Sequence, residues 1–240
     1  MSNLPIIKKI IDPPKSKHKN IHPNLPQPHA QVLMIMPCKC GKSTIGSNCI
    51  LNNNLYGLNY FENTPIIISN TINTDLTNRF LKQSCVTYDR YDDQIINDFV
   101  SSQKKFGNVS KMPSSCLFVD DCLGDKTTAL DNLSSRYRHS NIHLLMISTQ
   151  LFRKVSPVIR ANATNILIGK LQNAKELDKL DEEYGGMFNG QFRELYKKAT
   201  KKKYDFLHLN LQENPSQAWR NFEEKLYPLN NISDSDSDSD

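Results

Sequence analysis

The chain has 240 residues, 38% of them hydrophobic, and a formal net charge of +5 at pH 7. That length encloses one sizeable core, and a mean hydropathy of −0.54 implies polar tails around it. No apolar run approaches the ~20 residues of a membrane span, and six cysteines without CxxC pairing or a secretory leader point to free thiols in a reduced, intracellular protein.

Residues 1–29 hold six prolines, from Pro5 to Pro28, among Lys8, Lys9, Lys15, Lys17 and Lys19. This composition predicts a disordered extended arm. His18, His22 and His29 lie in it without cysteine or carboxylate partners at metal-ligand spacing. A domain is expected over residues 30–228. It opens on a continuous apolar run at residues 32–36, as in a strand buried on both faces. Similar runs stand at 66–68, 116–119, 143–147 and 166–168, with a weaker one at 85–88.

Helical patterns fill the gaps. Ile95, Ile96, Phe99 and Val100 form one stripe; Leu130, Leu133 and Tyr137 form another. Ser156-Pro157 reads as an N-cap with proline at the first helical position. Asn173 with Glu176 reads as a capping box, with Gly185 ending that helix. A strand at 206–209 and a helix through Trp219, Phe222 and Leu226 are expected to complete the core. Residues 229–240 end in alternating Ser and Asp from Ser233 to Asp240, a disordered acidic tail. Buried strands alternating with helices predict an α/β fold, a mostly parallel central sheet flanked by helices.

Directly after the first strand comes Met36-Pro37-Cys38-Lys39-Cys40-Gly41-Lys42-Ser43-Thr44. A phosphate-binding loop reads GxxxxGK[ST] between a strand and a helix. Its backbone amides cradle phosphate oxygens, and the helix adds its positive N-terminal end. Residues 37–44 are therefore the candidate nucleotide cradle: Pro37, Cys38, Lys39, Cys40, Gly41, Lys42, Ser43 and Thr44. In such a loop Lys42 neutralises β/γ-phosphate charge, the Ser43 hydroxyl ligates Mg²⁺, and Thr44 lies near the α-phosphate. Met36 stands where the pattern has its first glycine, and Lys39 holds a position that is often glycine. A bulky Met36 is expected to narrow the tight turn.

The run at 116–119 ends in Asp120-Asp121, the Walker B pattern. Strand carboxyl ends gather where ligands bind in a parallel sheet. Asp120 is thus the candidate second metal ligand, and Asp121 the group that orients or deprotonates attacking water. The next strand ends in Ser148-Thr149-Gln150; the Gln150 amide is a candidate partner of the γ-phosphate or the water. Arg136, Arg138 and Arg160 flank this region, and one of them is a candidate arginine finger acting across a subunit boundary.

These pieces in this order resemble the genome-packaging ATPases of large DNA viruses and virophages, in the FtsK–HerA group of P-loop motors that includes the poxvirus packaging ATPase. The resemblance covers about residues 31–210. It rests on Gly41-Lys42-Ser43-Thr44, on Phe118-Val119-Asp120-Asp121, on Arg138-His139-x-x-Ile142 leading into the strand that ends at Gln150, and on Ser156-Pro157-x-x-Arg160-x-Asn162. The Asp-Asp pair in place of the Asp-Glu of cellular relatives is in keeping with it. The resemblance implies ATP and Mg²⁺ as cofactors, with Lys42, Asp121, Gln150, Arg138 and Arg160 as the catalytic set. It further implies a homo-oligomeric ring, pentamer or hexamer, that drives double-stranded DNA into a preformed capsid at a portal vertex. Its place is then the viral factory of the host cytoplasm, or the virion.

Two other readings stay open on the residues alone. A nucleotide or small-molecule kinase shares the loop but needs an arginine-rich lid, which is not evident. A basic DNA-binding or scaffold protein that no longer turns over ATP shares the lysine clusters. Those clusters, the N-terminal lysines with Lys197, Lys198, Lys201, Lys202 and Lys203, attract phosphate backbones and are the candidate DNA contacts.

Overall fold

A computed structural model describes residues 21–124 and 127–228. The acidic tail and the first twenty residues, with the N-terminal lysines and His18, lie outside them. Nine strands form one sheet: β1 (Ala30–Ile35), β2 (Ile66–Ser69), β3 (Val86–Tyr88), β4 (Ser115–Asp120), β5 (Ile142–Thr149), β6 (Asn165–Ile168), β7 (Leu207–Asn210), β8 (Gln217–Arg220) and β9 (Glu224–Tyr227). Their order is β3-β2-β4-β5-β1-β6-β7-β8-β9. The first six run parallel and the last three add antiparallel.

The continuous apolar runs follow from burial on both faces. Side chains alternate along a strand, so Leu33 and Ile35 of β1 join Leu117, Val119, Leu145 and Ile147 on one face. Val32, Met34 and Met36 join Cys116, Phe118, Leu144 and Met146 on the other. Helices α3 (Asp93–Lys104), α4 (Thr128–Arg136), α5 (Pro157–Asn162), α6 (Ala174–Tyr184) and α7 (Phe192–Ala199) supply the first face. Helix α1 (Lys42–Leu51), Tyr56, Tyr60, Phe61 and Leu81 of α2 (Arg79–Ser84) cover the second. No helix among the described residues is long and apolar enough to cross a membrane.

Three expectations change. Trp219, Phe222 and Leu226 lie on a hairpin, not a helix. Residues 217–220 pair with β7 and 224–227 with 218–220, and Asn221 turns the chain at φ 55°. The helical spacing of the three apolar residues loses to the ladder partners offered by the open edge of β7. Residues 21–29, assigned to the arm, include packed ones: Leu25 is buried in the second core, and Tyr56 Oη donates to the Pro26 carbonyl at 2.5 Å. The capping box forms only half. Asn173 accepts from Lys175 N, but the buried Glu176 carboxylate turns to Arg153, 3.3 Å from its amide N and 3.6 Å from Nε. By contrast, Gly185 ends α6 as expected; it stands at the C-cap with φ −61°, the chain passes into a 3-10 turn, and the reversal falls on Asn189 and Gly190 at φ 51° and 75°. Ser156 likewise caps α5 as expected, accepting from Ile159 N with Pro157 in the first turn.

Candidate functional site

Parallel strands bring their carboxyl ends to one sheet edge. Four tips and the start of α1 meet there: Met36 after β1, Ser69 of β2, Asp120 of β4 and Ser148 of β5. The loop between Met36 and α1 curls through two left-handed residues, Lys39 at φ 62° and Gly41 at φ 96°. Lys39 thus adopts the backbone for which glycine is the usual choice. Cys38, Lys39 and Thr44 are exposed, while Pro37, Cys40, Gly41 and Ser43 are partly buried.

Met36 does not narrow this turn. It is fully buried, its side chain in the core beneath the sheet. A Cβ built on Gly169 at the tip of β6 meets Met36 Cγ at 2.9 Å, so the missing side chain at Gly169 makes room for the methionine. The backbone remains tied into the sheet edge: Met36 N donates to Thr149 O at 3.1 Å, and Gly169 N to Ile35 O at 3.0 Å.

Lys42 is 7% exposed and aims across the loop, its Nζ donating to Met36 O at 2.9 Å and pairing with Asp121 Oδ2 at 3.1 Å. Asp121 sits at φ 53°, a left-handed conformation that Asp tolerates better than most residues. Its amide donates to Ser148 O at 3.1 Å and to Ser148 Oγ at 3.2 Å, and Gln150 Nε2 donates to Asp121 Oδ2 at 3.1 Å. Lys42, Asp121 and Gln150 therefore share one carboxylate.

Asp120 is 3% exposed. Ser43 Oγ donates to its Oδ2 at 2.9 Å, Ser69 Oγ donates to the same oxygen at 3.4 Å, and Ser148 Oγ donates to Oδ1. Among the described residues no basic side chain forms a salt bridge with it. A buried carboxylate met only by hydroxyls is poorly compensated, and a cation beside Ser43 and Asp120 corrects that. The pair suits Mg²⁺, which takes one or two carboxylates and completes its shell with water and substrate phosphates. No cluster of three His, Cys, Asp or Glu that could hold a metal occurs among the described residues. Cys122, beside this carboxylate with Sγ donating to Asp120 O at 3.2 Å, has its thiol pushed up to about 11, chiefly by burial.

Ser69 and Ser148 were missed as site residues. Both are polar residues closing an apolar strand run, the signal that marked Gln150; the sequence lacked the strand order that makes β2 and β5 the neighbours of β4. The arginines lie elsewhere. Arg138 is exposed in the turn just before β5, at the sheet edge opposite the phosphate loop, with Nε 3.4 Å from Tyr137 Oη. Arg160 lies on α5, held by Glu183 at 2.5 Å and packed over Phe152 at 5.0 Å. Neither reaches the loop within its own chain. The turn that carries Lys201, Lys202 and Lys203 approaches the loop through the adjoining Tyr204, whose Cδ1 is 4.0 Å from a Cβ built on Gly41.

No protein-family model matches the chain. Over 152 residues it is 24% identical to uncharacterized protein 075L of Invertebrate iridescent virus 6, covering 61% of the chain and 58% of that relative. The chain thus spans little more than half the length of this curated relative. Among solved structures, the genome packaging NTPase B204 from Sulfolobus turreted icosahedral virus 2, in complex with AMP, matches with a TM-score of 0.57 at 18% identity, over 79% of the chain and 96% of B204. The pCW3 conjugation coupling protein TcpA, with ATPgS, matches with a TM-score of 0.53 at 16% identity, over 76% of the chain and 57% of TcpA. The chain therefore has the fold of these P-loop ATPases, the packaging NTPase B204 among them, with the loop at 36–44 between the first strand and first helix of a mostly parallel sheet.

Proposed function

We propose that the chain hydrolyses ATP with Mg²⁺ and couples hydrolysis to movement of double-stranded DNA, packaging a viral genome into a preformed capsid. The observation that carries the chemistry is the division of labour between two adjacent carboxylates. Asp120, buried among Ser43, Ser69 and Ser148, is suited to a metal shell. Asp121, half-open and shared by Lys42 and Gln150, is suited to water. The packaging role draws on the likeness in fold to B204.

In this reading the loop amides and Lys42 hold the triphosphate and offset its charge. Ser43 and Asp120 would hold Mg²⁺, which would supply neutralising charge for the phosphates. Lys42 exchanges its bond to Asp121 for the phosphate, leaving that carboxylate to the water. Asp121 accepts the proton of the attacking water, oriented by the Gln150 amide. Among the described residues no arginine of the same chain contacts Lys42, Asp121 or Gln150. Arg138, exposed on the opposite edge, and Arg160 are the candidates to serve a neighbouring subunit in a homo-oligomeric ring.

Steady-state ATP hydrolysis, with and without double-stranded DNA, tests the proposal. A DNA-coupled motor hydrolyses ATP in Mg²⁺ without any small acceptor and turns over faster with duplex present. Transfer of the γ-phosphate to a small acceptor instead of water, or a rate indifferent to DNA, contradicts it.

A further inference from the structure

The turn between α7 and β7 carries Lys201, Lys202, Lys203 and Tyr204, all exposed. Tyr204 stands at φ 72°, a left-handed conformation unfavourable to a bulky side chain. The residue is 59% exposed, so burial within this chain does little to offset that strain. Such strain concentrates where a side chain must be presented to a ligand. The ring edge stands beside Gly41, the residue before Lys42, with Cδ1 4.0 Å from a Cβ built there. Lys203 Nζ lies 4.8 Å from the ring centroid.

The turn is anchored on both sides. Asn221 Nδ2 donates to Asp205 Oδ1 at 3.2 Å, and Phe206 N donates to Asn221 Oδ1 at 3.0 Å, fixing it to the β8–β9 hairpin. At the other end Thr200 Oγ1 donates to Tyr196 O at 2.8 Å, and Tyr196 Oη accepts from Leu171 N at 2.7 Å, next to the tip of β6. An exposed, strained aromatic ring is thus held at the rim of the phosphate loop by regular structure.

With residues 37–44 read as a phosphate loop, a nucleotide's phosphates lie against amides that the Tyr204 ring borders beside Gly41. We propose that Tyr204 is the base-stacking residue of the nucleotide site, its ring carrying the nucleobase of a bound nucleoside triphosphate, with the Lys203 ammonium beside the ring. Stacking engages a π-face that every base has, so it selects weakly among bases. The inference rests on the reading of residues 36–44 as a phosphate loop.

Calorimetric titration of the full chain with ATP and with inorganic tripolyphosphate tests it. Tyr204→Asn removes the ring and keeps a residue at ease in the left-handed region; Tyr204→Phe keeps the ring. Stacking predicts that Tyr204→Asn loses about 5- to 150-fold in ATP affinity with tripolyphosphate affinity unchanged, that GTP and CTP lose alike, and that Tyr204→Phe binds as wild type. An equal loss for tripolyphosphate shows a ring that only shapes the loop, and unchanged ATP affinity shows no role; either overturns the inference. Wild-type protein that binds neither compound overturns the phosphate-loop reading as well, a result distinct from the other two.

Discussion

Gly46 lies in the middle of α1, where glycine costs about 0.5–1 kcal/mol relative to alanine. Helix propensity alone predicts that Gly46→Ala stabilises the protein by about that amount. The structure predicts the reverse. A Cβ at this position stands 2.3 Å from Phe118 Cε1, 2.6 Å from Cζ and 3.0 Å from Cδ1, and Phe118 is fully buried in the second core. Contacts this short force the ring or the helix to shift, and overpacking of this kind costs about 1–3 kcal/mol. Set against the propensity gain, the net loss is about 0–2.5 kcal/mol, or a Tm lower by up to roughly 10 °C in a domain of this size. The consequence reaches the site. Helix α1 moves off β4, and the 2.9 Å contact between Ser43 and Asp120 opens with it, so affinity for Mg²⁺-ATP falls too. Phe118→Leu makes room for the added methyl group, and Gly46→Ala with Phe118→Leu is less damaged than the sum of the two singles, with a coupling of about 1 kcal/mol or more. Thermal melts of the wild type, both singles and the double variant close the cycle. A Gly46→Ala protein that melts above wild type, or a cycle that is additive, refutes the argument.

Lys42→Ala is expected to abolish hydrolysis and weaken ATP binding, whereas Asp121→Asn spares binding and removes turnover; paired binding and phosphate-release assays separate the two. Restoring the pattern glycine with Met36→Gly should not tighten nucleotide binding; it empties a buried side-chain site and lowers stability by about 3–5 kcal/mol, measured by denaturant unfolding. His208 is buried with Nε2 2.8 Å from Asn165 Oδ1 and, among the described residues, no hydrogen-bond partner for Nδ1, and burial lowers its pKa from 6.5 to about 3. The unfolded chain therefore binds that proton first, so stability is complete above pH 6.5 and drains away as pH falls toward 3; His208→Gln should flatten this part of the stability–pH curve. Changing Lys201, Lys202 and Lys203 to Ala is expected to flatten the log-affinity against log-salt slope of duplex binding; an unchanged slope clears the cluster of any DNA contact.

The parallel half of the sheet was legible because strands buried on both faces write themselves as unbroken apolar runs. The loop and Asp120-Asp121 were legible because each stands immediately after such a run, which fixes its edge of the sheet. The serines around Asp120 were not, since Ser69 and Ser148 become its partners only through the order β2-β4-β5, a non-local property. The β8–β9 hairpin was misread because three apolar residues at helical spacing carried the local signal, while the deciding factor was the free edge of β7. Tyr204 was invisible as a site residue for a related reason. It is far from Gly41 in sequence, and its left-handed backbone leaves no mark in composition. Met36 shows the converse: a departure from the glycine pattern looked like damage until Gly169, across the sheet edge, supplied the space.

The central claim is a motor, and the most direct measurement is ATP-driven displacement of a third strand from a DNA triplex by the full-length protein. A translocating ATPase strips the third strand in the presence of Mg²⁺ and ATP, fails with a non-hydrolysable analogue, and fails when Asp121→Asn replaces wild type although the variant still binds ATP. Hydrolysis of ATP by the wild type on the same duplex with the third strand left in place would contradict the account.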